Sequence, residues 1–144
     1  MTVAIRKLIL RIGGALLVVL GALHLAVTPI IRTMIENNTT AEAAQWLTPP
    51  MLLNHVVVGI LLLPLGALTF YAAPFAVLGE RWAVIITRLT AMTVTTLPIV
   101  VFLLVGVKYF RALPFLIAMI IVCCATIALL GAAFWPQSGN TGKS

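Results

Sequence analysis

Acidic side chains and serine are scarce in this sequence. It has no aspartate, its only glutamates are Glu36, Glu42 and Glu80, and serine occurs only at Ser138 and Ser144. Charged residues make up 8% and hydrophobic residues 62% of the 144 positions, whereas a soluble domain carries about 25% charged and 45–50% apolar residues. This composition excludes a soluble enzyme, a disordered tail and a disulfide-rich secreted scaffold. It predicts a polytopic integral membrane protein surrounded by a lipid bilayer.

The same shortages exclude most catalytic machinery. No serine lies near an apolar run, and no pair of carboxylates lies inside one, which argues against a serine nucleophile and a proton-coupled transporter. There is no phosphate-binding loop and no dinucleotide fingerprint. The adjacent Cys123 and Cys124 would point about 100° apart on a helix, and we expect them to pack as small apolar residues. We therefore expect neither catalytic activity nor a soluble substrate.

Four apolar runs are long enough to cross the hydrocarbon core, which takes about 20 residues. They predict spans at about residues 9–31, 51–73, 82–106 and 112–135, with a polar tail at 136–144. The expected fold is all-α, a single four-helix up-and-down bundle in the membrane.

The first outer loop carries signals for a short extra helix. Thr39 and Glu42 have the T-x-x-E spacing of a capping box, in which each side chain satisfies a free backbone N–H at a helix start. The spacing predicts a short interfacial helix at 41–47, ended by Pro49 and Pro50.

Small and hydroxyl residues predict how the spans pack. Spans one and two each carry small residues seven apart, a pattern that keeps one seam against a neighbouring helix and predicts close contact between them: Gly14, Gly21 and Thr28, and Gly59, Gly66 and Ala73. Span three is rich in threonine. We expect these hydroxyls to bond carbonyls of their own helix; the alternative is a polar pathway.

Basic residues lie at the ends of the apolar runs, which is typical of membrane flanks and not of a nucleic-acid-binding face. An excess of basic residues marks the cytoplasmic side. With the N-terminus inside, the inner side would hold Arg6, Lys7, Arg11, Arg81, Arg88 and Lys143, and the outer side Arg32, Lys108 and Arg111. We expect both termini in the cytoplasm, in a bacterial inner membrane. Arg88, about two turns into span three, is expected to snorkel to the inner headgroups; an anionic lipid or a partner subunit is the alternative.

Two histidines are the residues in the apolar runs that we single out as a possible cofactor-binding or metal-binding site. His24 and His55 are expected roughly 10 Å and 6 Å below the outer surface, at 1.5 Å per residue. An ionisable group inside the membrane is by default a functional hypothesis. Gly21 and Gly59 would leave room for a flat ligand between the helices. The best single cofactor is haem b, with His24 and His55 as axial ligands.

Three other interpretations of the histidines stay open. One histidine could hydrogen-bond a quinone head group. A small metal site could draw on both, together with Met51 and Glu36 or Glu42. Both could also be structural. The layout of His24 and His55 in four spans is similar in outline to the small haem b membrane anchors of respiratory enzymes, and the resemblance covers the architecture and this pair.

The leading functional expectation is a small non-catalytic subunit that packs with other integral membrane subunits in a larger assembly, for example a bioenergetic complex. It depends on the near-empty catalytic inventory and on long apolar faces that need lipid or partners. The alternative is an electron-transfer protein that binds a cofactor at His24 and His55.

The predicted orientation can be checked with reporter fusions. Alkaline phosphatase, active only outside the cytoplasm, is expected to be active when fused after Thr40 and inactive when fused after Gly79, because the basic residues favour an inner second loop. Green fluorescent protein at the same two positions is the control and should give the reverse pattern. Active phosphatase after Gly79 with inactive phosphatase after Thr40 would invert the topology.

Overall fold

The structure, a computed structural model, describes residues 1–106 and 113–136, and within them it contains helices and turns but no strand. The helices are α1 (Val3–Asn38), α2 (Ala41–Val77), α3 (Arg81–Val105) and α4 (Leu113–Phe134). The all-α prediction is confirmed for this part of the chain. Some predicted features lie outside the described residues: Lys108, Arg111, the span start at residue 112, Lys143 and the tail from residue 137.

Three helices, α1, α2 and α3, are long and apolar enough to cross a membrane. The 22 residues of α4 coincide closely with the predicted fourth span, which stays a prediction. With 36 and 37 residues, α1 and α2 are each about 55 Å long. That exceeds the roughly 30 Å of hydrocarbon in a bilayer. Part of each helix must therefore lie outside the apolar layer.

The start of α2 differs from the sequence prediction in two ways. The helix begins at Ala41 as predicted, but its cap is Thr40 and not Thr39, since the Ala43 N–H donates to the Thr40 hydroxyl at 3.3 Å. The Thr39 hydroxyl instead donates to the carbonyl of Ile35 in α1, at 2.8 Å. The helix also continues through Pro49 and Pro50 to Val77, so residues 41–47 are its first turns and no separate helix. Whether those turns lie at the membrane surface stays a prediction.

Residues 15–67 form one compact unit, a hairpin of the main part of α1 and the first part of α2. The two helices approach most closely where glycine faces glycine. A Cβ atom at Gly21 would lie 2.9 Å from the carbonyl oxygen of Gly59, and one at Gly59 would lie 3.0 Å from the carbonyl oxygen of Gly21. The predicted close contact between spans one and two is thus confirmed at this pair.

Residues 1–14 and the described residues from 68 onward form the other unit, in which α3 packs against α4. Gly79 ends the turn after α2 with a φ of 90°, a conformation that favours glycine. The Glu80 N–H then donates to the carbonyl of Phe75 at 3.1 Å. The rings of Phe75 and Trp82 contact each other across this turn, with centroids 5.3 Å apart and planes inclined by 45°, which joins the end of α2 to the start of α3.

Threonine hydroxyls in α3 bond the carbonyls of their own helix. Thr87 donates to Ala83 at 3.0 Å and Thr95 donates to Ala91 at 2.6 Å. The predicted role of these two threonines is confirmed, and it leaves their hydroxyls satisfied in a medium without water.

The end of α4 is contacted by arginines from two other helices of its unit. The last carbonyls of a helix have no partner within it. Arg6 of α1 donates its Nε–H to the carbonyl of Ala132 at 2.8 Å, and Arg88 of α3 donates to the carbonyl of Ala133 at 3.4 Å. Arg6 is 4% exposed. These two bonds cap α4 and neutralise the negative end of its dipole.

A glycine-to-alanine pair tests the α1–α2 contact. Gly59→Ala should destabilise the protein by about 1–3 kcal/mol, because the added methyl overpacks the interface. Gly131→Ala in α4 is the control, since a Cβ there would meet open space, and it should be neutral or stabilising by up to about 1 kcal/mol. The measurement is the unfolding midpoint of each variant in the same detergent. Equal midpoints for the two variants would contradict the close contact.

Candidate functional site

The two histidines of the chain lie side by side in the unit of residues 15–67. His24 projects from α1 and His55 from α2, with ring centroids 5.3 Å apart and ring planes inclined by 33°. Both residues are half-buried. The antiparallel hairpin brings them together, since His24 lies three residues after Gly21 and His55 four residues before Gly59, the two glycines in contact. We refer to His24 and His55 as the histidine pair.

Hydrogen bonding orients the first ring of the histidine pair. Nδ1 of His24 lies 3.0 Å from the carbonyl oxygen of Leu20, one turn earlier in α1. A carbonyl only accepts, so Nδ1 of this ring carries the proton and donates it. In the neutral ring the lone pair is then on Nε2. A hydrogen bond of this kind fixes the tautomer of a metal-binding histidine, and it also satisfies a structural one.

The second ring has an unsatisfied nitrogen. Nδ1 of His55 is buried and has no hydrogen-bond partner among the described residues. Burying a polar atom without a partner costs about 1–3 kcal/mol. The histidine pair thus combines a free lone pair on one ring with an unpartnered nitrogen on the other, a combination that suits a ligand with a donor group or a metal ion.

The separation of the rings limits which ligand fits. Imidazole nitrogen bonds a metal such as zinc at about 2.0–2.1 Å, so two rings on opposite sides of one ion would have centroids about 6 Å apart. Two rings on adjacent corners of a tetrahedral ion would have centroids about 5 Å apart. The observed 5.3 Å is closer to the second arrangement. Haem ligation from both faces would require the helices to separate.

The space beside each glycine near the histidine pair is filled by atoms of the facing helix. The space above Gly21 is taken by the backbone of Gly59 and by Leu63, and that above Gly59 by Leu25 and the backbone of Gly21. In this conformation the two glycines provide close helix packing rather than a slot for a flat ring. The residues do not fit a haem as they are placed here, and haem binding at the histidine pair stays a prediction.

The further ligands proposed for a small metal site are not drawn together. Glu36 is engaged by Arg32, whose Nε–H donates to its carboxylate at 2.9 Å. Met51, one turn before His55, is half exposed, and Glu42 is exposed at the start of α2. Across residues 1–106 and 113–136, no three histidine, cysteine or acidic side chains are close enough to hold an ion. The structure therefore unites His24 and His55 alone.

Open grooves also lie elsewhere among the described residues. One, of about 470 Å³, lies near the hairpin tip and is lined by residues that include Arg32, Glu36 and Thr48. Another, of about 360 Å³, lies between α3 and α4 beside Phe102 and Cys123. Its lining is mostly apolar, and the packing role expected of Cys123 stays a prediction.

The sequence analysis used Arg6 only as one of the basic residues that indicate the cytoplasmic side, and it did not predict the contact of Arg6 with α4. Arg6 and Ala132 are 126 residues apart, so no local spacing reveals their contact. The only available signal was a basic residue close to the start of an apolar helix. Such residues normally extend toward headgroups, whereas this one is buried.

Comparisons of the chain with protein-family models, with curated proteins and with solved structures give no match.

Proposed function

We propose that this chain is a small, non-catalytic integral membrane subunit that packs against other membrane subunits in a larger assembly. In this proposal the helices form an up-and-down bundle in a bacterial inner membrane, with both termini cytoplasmic and the first turns of α2 at the outer surface.

The observation that carries the proposal is how little of its apolar helix surface the chain covers itself. In the most apolar segments of α1, α2 and α3, only 17%, 28% and 22% of the residues are buried. Helices in lipid associate by close packing at small residues, and the described part of the chain uses this mode at Gly21 and Gly59. The uncovered surface is available to lipid and to neighbouring subunits.

The mass of the particle in its native membrane tests this function. We expect direct extraction into polymer-bounded lipid discs to yield particles that contain a second polypeptide at fixed stoichiometry, because the chain leaves most of its apolar surface uncovered. Mass photometry and native mass spectrometry give the mass and composition. The same chain overexpressed alone is the control for disc-driven association. A lone 15.4 kDa chain in discs from native membrane would contradict the proposal.

A second candidate is a cofactor-binding electron-transfer protein, with the histidine pair as ligands of a haem b iron or of a single metal ion. The observation that favours the metal-ion form is the 5.3 Å approach of the two rings, together with the Leu20 carbonyl that leaves Nε2 of His24 with a lone pair. The haem form would require the helices to separate. A pair of imidazoles held this way is a ready donor set for a transition metal.

Replacing either histidine tests the second candidate. His24→Ala and His55→Ala are each expected to abolish the bound group, because one imidazole alone is a weak site. Asn54→Ala, next to His55, is the matched control and should retain it. The measurements are oxidised and dithionite-reduced absorption spectra for haem, and elemental analysis for metal. Protein that is colourless and metal-free, or unchanged loading in both histidine variants, would leave the pair with a structural role.

A further inference from the structure

Arg6 and Arg88, which we call the arginine pair, lie together at the end of α4. They donate to consecutive carbonyls, those of Ala132 and Ala133, so their guanidinium groups are neighbours. Arg88 also lies over the ring of Phe134, with its guanidinium carbon 5.1 Å from the ring centroid. The arginine pair is thus held from three helices of one unit: α1, α3 and α4.

The positive charge at this place is not balanced by the described protein. The carbonyl end of a helix is equivalent to about half a negative charge, against two guanidinium charges. No described carboxylate lies within 4 Å of either arginine, and the ion pair found in the described chain joins Arg32 and Glu36. Glu80 precedes Arg88 by eight residues, about 12 Å along α3, and is exposed.

The hydrogen-bonding capacity of the arginine pair is also unfilled. Arg6 is 4% exposed, and its Nη2 atom is buried without a partner among the described residues. Arg88 is exposed, and its described polar contact is the single bond to Ala133. A guanidinium presents five N–H donors. A buried cation beside an exposed guanidinium that uses one of its five donors attracts an anion to the exposed side.

We propose that the arginine pair binds the phosphate group of an anionic phospholipid, with Arg88 contacting the phosphate and the buried Arg6 adding charge behind it. The fork of a guanidinium matches two phosphate oxygens. Trp82 and Trp135, both partly exposed at helix ends in the same unit, are of the type that lies at headgroup level. Anionic lipids are enriched in the cytoplasmic leaflet, the side on which the basic residues predict these helix ends.

Lipid-dependent stability tests the proposal on the full chain. Protein in phosphatidylcholine discs is compared with protein in discs that contain phosphatidylglycerol, and native mass spectrometry counts the retained phosphatidylglycerol. We expect wild type to retain it and to unfold at a higher temperature in its presence. Arg88→Gln should weaken retention roughly tenfold or more, since a hydrogen bond to a charged group is lost. Arg88→Lys, which keeps the charge but not the fork, should be intermediate.

Arg81→Gln is the matched control, because it removes the same charge from an exposed position at the start of α3 and should behave as wild type. Equal losses for Arg81→Gln and Arg88→Gln would reduce the effect to net charge and overturn the site. Inorganic phosphate, added to protein in phosphatidylcholine discs, distinguishes a free anion from a lipid. Equal stabilisation by inorganic phosphate would overturn the lipid assignment, and no stabilisation by either would overturn the proposal entirely.

Discussion

The requirement that every backbone N–H and C=O finds a partner without help from water governs this molecule. In hydrocarbon an unpaired peptide group costs several kcal/mol, and a helix avoids that cost by pairing its peptide groups within one segment. Helices satisfy their interiors but leave carbonyls free at their ends. At the end of α4 that need is met by Arg6 and Arg88. The bonds that complete this helix end thereby bring two cations together, and this is the place where we propose that a lipid phosphate binds.

The glycines show how the same residue type supports two different expectations. A glycine on each of two helices can leave a slot for a ligand, or it can let the backbones approach. Close approach is what the structure shows at Gly21 and Gly59, where each carbonyl lies within about 3 Å of the position a partner Cβ would take. Van der Waals packing drives helix association in lipid, so closing the gap is favoured unless a ligand holds it open. The histidine pair lies about one turn from this contact, so the close approach of the helices also holds the two rings near each other.

The histidines illustrate a placement that sequence could foresee only in part. Their equal distance from the first outer loop follows from helix rise, because Thr39 and Thr40 alone separate α1 from α2. Their ring distance does not, because it depends on rotation of each helix about its axis, which the Gly21–Gly59 contact sets. The hydrogen bond from His24 to the carbonyl of Leu20 joins residues one turn apart. Whether the His24 ring bonds this carbonyl or solvent depends on how far the ring is buried, which the tertiary structure sets. Nδ1 of His55 has no comparable hydrogen-bond partner among the described residues.

The sequence by itself determined the membrane character, the helical class and the threonine back-bonding of α3. These follow from composition and from contacts within one or two turns. It placed the start of α2 at Ala41 correctly but assigned the cap to Thr39 where Thr40 provides it. It also ended that helix at Pro49 and Pro50, where the structure continues it. Only the tertiary structure decided that Arg6 is buried against Ala132, that Arg88 joins it, and that the two glycines touch. Those contacts join residues tens to more than a hundred positions apart, and their free energy comes from packing that no local pattern encodes.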